Sequence, residues 1–400
     1  MNDSLHRRAA GAALLEFLRR PSSYPEPTRN VEVIETHFAW VFLTDAYAYK
    51  LKKPLRHDCM DYRSLAARKR GCGDELRLNR RLAPAVYLGL VPVVRARDGS
   101  LRIGRSQGAT VVDWLVKMRR LPAERMLDRA LLAERVSVLD VAAVAAVLSR
   151  FFESARRRPL TPRGYLARLR RAVRVNDAEL SAASLRLEKL RARAVSRAQL
   201  AFIEENARQL SSRGALLVDG HGDLRPEHVF LGAGLRLACV IDCLEFSRDL
   251  RRLDPAEELA FLILECRRLG AKQAGRILLA RFRQVSPIRV DPALLYFYMS
   301  QRAMTRAKLA AWHLNDPQFA RQAAVWRAIA ASYVADAAHY IRCASRAARW
   351  SRRIRPRDSA ANHSARGPAG RRSTAAAQRS RKGSQPTASS TSRGFPAAEG

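Results

Sequence analysis

Residues 221–246 read HGDLRPEHVFLGAGLRLACVIDCLEF. Two apolar runs, Val229 to Leu231 and Leu235 to Ile241, flank Gly232-Ala233-Gly234, so the spacing predicts a tight hairpin whose ends lie together. Asp223 and His228 precede the first run, and Asp242 and Glu245 follow the second. The hairpin therefore places them at one end. Carboxylates gathered at one edge repel each other, and the arrangement persists where a bound cation or a proton transfer uses it. A divalent metal with a phosphate would serve.

Upstream of this stretch, residues 31–54, VEVIETHFAWVFLTDAYAYKLKKP, are rich in Val, Ile, Phe, Tyr and Trp around a polar Thr44-Asp45 break, the pattern of antiparallel strands joined by a turn. SLAARKRGCGDELRLNRRLAP has helical spacing in its second half (Leu76, Leu78, Leu82) and stops at Pro84; YLGLVPVVRARDGSLRIG then predicts two strands around Asp98-Gly99. The first hundred residues thus read sheet, helix, sheet. From Pro122 to Ser212 the periodicity is helical. Beyond the hairpin, Asp254-Pro255-Ala256-Glu257 supplies an N-cap, a proline at the first helical position and an acid at the third, opening a helix that ends near Gly270.

A length of 400 residues with 48% hydrophobic content is enough for one large or two fused folded units. No apolar run reaches the length of a membrane span: Asp140 and Arg150 interrupt the richest, VLDVAAVAAVLSRFF. The N-terminus lacks an apolar segment with a cleavage site, and six cysteines without a C-x-x-C pair fit neither a disulfide framework nor a zinc knuckle, so a cytoplasmic location is expected. The net charge of +36, nearly all arginine spread along the chain, permits nucleic-acid binding. No helix-turn-helix, zinc-finger or aromatic RNA-binding signature accompanies it, and no G-x-x-x-x-G-K-[ST] motif occurs. The last fifty residues, Arg, Ser, Ala, Gly and Thr with almost no large apolar groups, cannot bury enough surface to offset ordering and are expected to be disordered.

HGDLRPEH followed by VIDCLEF resembles the catalytic loop and metal-binding segment of the aminoglycoside phosphotransferase family. VEVIETHFAWVF, YAYKLKKP, ELRLNRRLAPAVYLG and LDPAEELAFL are together similar to uncharacterised bacterial proteins containing such a domain. The resemblance implies an α+β, protein-kinase-like two-lobed fold, with a small antiparallel-sheet N-lobe and a larger helical C-lobe. The implied divisions are a helical extension at 1–30, the N-lobe at 31–112, a hinge at 113–120, the C-lobe at 121–348 and a basic tail at 349–400. It also implies ATP or GTP with Mg2+, and transfer of the γ-phosphoryl group to a hydroxyl.

Carried over by position, the resemblance makes Asp223 the catalytic carboxylate and Asp242 a Mg2+ ligand, with His228 standing where the family has asparagine as a second metal contact and His221 a scaffold residue of the loop. Lys50 resembles the strand lysine that grips nucleotide phosphates, and Glu75 the helix glutamate paired with it. Lys52, on the same strand face, is the rival for that role. Asp113, Trp114 and Leu115 would hold adenine through their backbone. Thr44-Asp45-Ala46 stands where the family has a glycine-rich loop.

Other residues read as structural. His37 is expected to be a core or cross-strand histidine, and His313 and His339 to be packing or surface positions. Asp254 and Glu258 are expected to cap and brace their helix, and Arg302 with Arg306 to form a solvated basic face. That basic helical lobe favours an anionic acceptor, a metabolite, a phosphorylated sugar or an acidic macromolecule, over an aminoglycoside. Two other classes stay open: a nucleotide-binding scaffold without catalysis, and a nucleic-acid binder acting through the arginine-rich tail.

Overall fold

The structure, a computed structural model, describes residues 2–57, 60–182, 188–232 and 238–354. The tip of the expected hairpin from Ala233, Cys59, and the tail from residue 355 lie outside the described residues. Helix α1 (Asn2–Arg19) precedes strands β1 (Glu32–Glu35), β2 (Ala39–Leu43) and β3 (Tyr47–Lys52), the short pair β4 (Arg56–His57) and β5 (Met60–Asp61), and helix α2 (Leu65–Asn79). Strands β6 (Tyr87–Arg95), β7 (Leu101–Ile103) and β8 (Thr110–Arg119) follow. Six of these strands form one antiparallel sheet in the order β1-β2-β3-β8-β6-β7.

Alternation along β3 decides what each face of the sheet carries. Tyr49 and Leu51 join an apolar cluster with Leu14 and Leu18 of α1, while Ala48 joins Cys72 of α2 in a second cluster on the opposite face. Lys50 and Lys52 share the parity of Ala48 and so project toward α2. That helix starts earlier than the spacing of its leucines predicts. Ser64 Oγ accepts a hydrogen bond from the Ala67 N–H, capping it. Its interior glycine is needed where Tyr62 lies against it, since a Cβ on Gly71 would fall 2.6 Å from Tyr62 Cε1.

The expected hinge at 113–120 is strand instead. Asp113, Trp114 and Leu115 lie within β8, where Leu51 pairs with Leu115, Pro92 with Trp114 and Val93 with Asp113. Leu115 has strand partners on both sides, Leu51 of β3 and Val91 of β6, whereas Asp113 and Trp114 pair with β6 alone. Leu115 is buried, and the Asp113 carboxylate accepts from Arg68 Nε at 2.9 Å. The chain leaves the sheet only after Arg119.

Beyond that point come α3 (Leu127–Leu132), α4 (Val138–Ser154), α5 (Pro162–Ala182), α6 (Glu188–Glu205) and α7 (Ala207–Ser212). The short strands β9 (Val218–Asp219), β10 (Val229–Phe230) and β11 (Cys239–Val240), helix α8 (Arg248–Arg251) and strand β12 (Arg252–Leu253) follow, with the quoted loops between them. Helices α9 (Pro255–Arg268), α10 (Lys272–Val285), α11 (Pro292–Trp312) and α12 (Ala323–Ile354) complete the described chain. One apolar cluster containing Phe152, Phe202, Phe282 and Phe297 runs through this part. A six-stranded antiparallel sheet with helices packed on it, followed by a larger helical part, is the α+β arrangement that the resemblance implies. No described helix is long and apolar enough to cross a membrane.

Asp254 caps α9 as expected, accepting from the Ala256 N–H at 2.9 Å. It also receives Arg213 Nε and Nη2 at 2.7 and 2.6 Å and the Tyr298 hydroxyl at 2.9 Å. The solvated basic face expected on α11 is not present. Arg302 Nε lies 3.0 Å from Glu257 and Arg306 Nε 3.7 Å from Glu265, each pair mostly shielded from water. Acids one helix away, invisible to the spacing within α11, neutralise it. His37 is not on a strand either; it sits exposed in the β1–β2 turn, edge-on to Phe38.

Candidate active site

Pairing of Val229 with Val240 and Phe230 with Cys239 brings the two ends of the quoted stretch together. The Nδ1–H of His228 donates to the Asp223 carbonyl at 2.8 Å. That assignment leaves Nε2 with its lone pair in the neutral ring, 3.6 Å from Asp242 Oδ2. His221, fully buried, accepts the Asp223 N–H on Nδ1 at 3.3 Å and donates from Nε2 to the Ile241 carbonyl at 2.9 Å. Burial, with His228 nearby, lowers its pKa to about 4, so it serves as a neutral cross-brace between the two segments.

The loop that aims Asp223 is held from behind by Glu258, whose carboxylate accepts the backbone N–H groups of His221 and Gly222 at 2.9 and 2.5 Å. Gly222 adopts φ +92°, and a Cβ there would stand 3.0 Å from Leu244 Cβ, so only glycine fits. Glu258 therefore braces this loop as well as its helix, and burial raises its pKa. Glu258→Ala leaves two buried N–H groups without acceptors, and we expect a loss of about 3 kcal/mol in unfolding free energy. Urea melts check this; an unmoved midpoint would show that the loop stands without the carboxylate.

Asp242 adopts φ +60°, a left-handed conformation that is strained for a residue with a Cβ. Two side chains of the sheet lobe hold it there. The Asp242 N–H donates to Tyr87 Oη at 3.1 Å, and the Cys243 N–H donates to Asn79 Oδ1 at 2.8 Å. From Asp242 a row of alternating charge crosses into that lobe. Lys50 Nζ lies 2.6 Å from Asp242 Oδ1 and 2.9 Å from Glu75 Oε1; Lys52 Nζ lies 2.7 Å from Glu75 Oε2 and 2.5 Å from Glu245 Oε1. Burial alone would raise the Asp242 and Glu75 carboxyls, but the lysines hold both below the usual carboxylate range. Burial would likewise raise Asp223; Arg225 and Arg306 hold it down. Arg225 Nε reaches both oxygens of Asp223 at 3.1 Å.

Of the residues singled out from the sequence, the structure brings together Lys50, Lys52, Glu75, Asp223, His228, Asp242 and Glu245, and leaves Asp113, Trp114 and Leu115 within the sheet. The sequence reading missed Tyr87, Asn79, Arg225 and the loop-bracing role of Glu258. Asn79 and Tyr87 lie inside the quoted block ELRLNRRLAPAVYLG, but only the folded chain reveals which backbone N–H groups they meet. Asp242 and His228 fit a divalent cation. Their facing atoms lie 3.6 Å apart, close enough to share one ion, and the Asp242 carboxylate is the oxygen donor of the pair, Mg2+ being commonly held by one or two carboxylates with phosphate oxygens completing its shell. Among the described residues no larger cluster of His, Cys, Asp and Glu forms a cage.

No family model matches the chain. It is 32% identical over 286 residues to an uncharacterised protein of Mycobacterium tuberculosis (strain H37Rv), the alignment taking in 70% of this chain and 54% of that protein. The chain thus spans about half the length of the curated relatives it matches. Among solved structures, it is similar to a choline/ethanolamine kinase family protein from Mesorhizobium loti, at 15% identity and TM-score 0.48, over 84% of this chain and 98% of that one. It is also similar to a GDP complex of an aminoglycoside 2'-phosphotransferase-IIIa variant, at 13% identity and TM-score 0.47, over 81% and 96%.

Proposed function

We propose that the chain is a kinase-like phosphotransferase that moves the γ-phosphoryl group of ATP to a hydroxyl of a small molecule. The observation that carries this reading is the convergence of Asp223, His228, Asp242, Lys50 and Glu75 around one cleft. In the reaction, a bond forms between the acceptor oxygen and the γ-phosphorus, the bond to the β–γ bridging oxygen breaks, and ADP leaves. The hydroxyl proton passes to Asp223, a role that requires the ionised carboxylate favoured by Arg225. Lys50, fixed from behind by Glu75, presents its ammonium group to the phosphates. Mg2+ held by Asp242 and His228 would neutralise phosphate charge during transfer.

The expected preference for an anionic acceptor loses its basis here. The arginines that act on Asp223 are matched by acids, Arg225 by Glu227 at 2.6 Å and Arg306 by Glu265, and Arg302, one turn along from Arg306, is matched by Glu257. The excess positive charge of the sequence therefore does not select the acceptor.

The test is ADP formation by the purified chain with Mg-ATP over a panel of hydroxyl-bearing metabolites, beside a thermal-shift titration with Mg-ATP. Acceptor-dependent ADP release is expected. A thermal shift without turnover would favour the scaffold reading, for which His228 in the asparagine position speaks. No thermal shift and no turnover would remove both readings.

A further inference from the structure

A cavity of about 680 Å³ opens between the ends of α2 and α4 and helix α8, and none of Lys50, Asp223, His228 or Asp242 lines it. Six arginines do: Arg77, Arg81, Arg156, Arg158, Arg248 and Arg251. Two aspartates in the lining are already engaged. Asp74 pairs with Arg77 at 2.8 Å, and Asp219 accepts from Arg251 Nε at 2.9 Å. Arg81 is also engaged, donating to the Asp219 and Gly220 carbonyls at 2.6 and 2.9 Å, with its guanidinium 5.1 Å from the Phe151 ring centroid.

The guanidinium groups of Arg156, Arg158 and Arg248 have no hydrogen-bond or ion-pair partner among the described residues. Like charges that converge without partners repel each other, and a bound anion relieves that repulsion. Guanidinium groups match phosphate oxygens in pairs, so several of them around one concavity suit more than one phosphate. The volume is that of a small-molecule site, which spans about 300–1,000 Å³. We infer that this cavity binds a small, multiply phosphorylated anion. Two of its lining side chains also brace the active-site loops: Arg81 holds the backbone just before His221, and Arg251 Nη1 donates to the Leu244 carbonyl at 2.8 Å, just after Asp242.

Calorimetric titration of the full chain with inorganic tripolyphosphate, without Mg2+ or nucleotide, tests this. Binding is expected in the wild type and in Lys50→Met, and is expected to weaken about tenfold or more in the triple variant Arg156→Gln/Arg158→Gln/Arg248→Gln. Orthophosphate should bind about tenfold more weakly than tripolyphosphate. Equal affinity in the triple variant would overturn the inference, because general attraction to a chain of net charge +36 barely changes with three substitutions. Loss of binding in Lys50→Met would overturn it too, by placing the anion in the nucleotide cleft. Melting curves establish that each variant is folded. Should one not fold, arginine modification by phenylglyoxal, read by mass spectrometry on the wild type, decides instead: tripolyphosphate protects Arg156, Arg158 and Arg248, and absence of protection refutes the site.

Discussion

On the proposed reading, Asp223→Asn is expected to lower phosphoryl transfer by about a thousandfold while Mg-ATP affinity stays within about twofold. The reason lies in what Asp223 touches. Its carboxylate meets Arg225, whose other end is already satisfied by Glu227 at 2.6 Å, so a neutral amide at 223 leaves the loop charge-balanced. The loop's own geometry comes from backbone N–H groups bonded to Glu258 and from the neutral His221 brace, neither of which the substitution alters. What it removes is the proposed proton acceptor. An ADP-release assay beside calorimetric nucleotide titration reads both quantities, and turnover equal to wild type would strip Asp223 of its assigned role.

Lys50→Met and Lys52→Met are expected to fail in different ways. Lys52 is 2% exposed between Glu75 and Glu245; burial alone would lower its pKa, and the two carboxylates raise it instead. Replacing it leaves two shielded acids without their shared cation, and we expect a loss of about 3–5 kcal/mol in stability. Lys50 sits nearer the cleft, its other contact being Asp242, whose side chain is 44% exposed. Lys50→Met leaves Lys52 on Glu75, so the fold survives and nucleotide affinity falls, by about tenfold or more. Chemical denaturation and nucleotide titration of both variants separate the roles; a reversed pattern, with Lys52→Met folded and unable to bind nucleotide, would make Lys52 the phosphate-facing lysine.

The rivalry between these two lysines was legible because a strand has a period of two, so Lys50 and Lys52 had to share a face; the helix glutamate Glu75 beside them was implied by the resemblance alone. The meeting of Asp223 with Asp242 was legible for a similar local reason, since two apolar runs joined by glycines fold back on each other. The strand at 113–119 was not, because an apolar stretch reads alike as a connecting segment or as a sheet's middle strand until its partners β3 and β6 are known. Arg302 and Arg306 misled for the complementary reason. Their neutralising acids, Glu257 and Glu265, lie on α9, and charge balance between helices leaves no trace in the spacing along one of them.

The grip of Tyr87 and Asn79 on the backbone at 242–243 carries a mechanical consequence. The left-handed dihedral of Asp242 is backed by contacts from the sheet lobe, so a swing that parted the lobes would also undo them. On the proposed reading, closing the lobes and setting the metal-binding carboxylate would be a single motion.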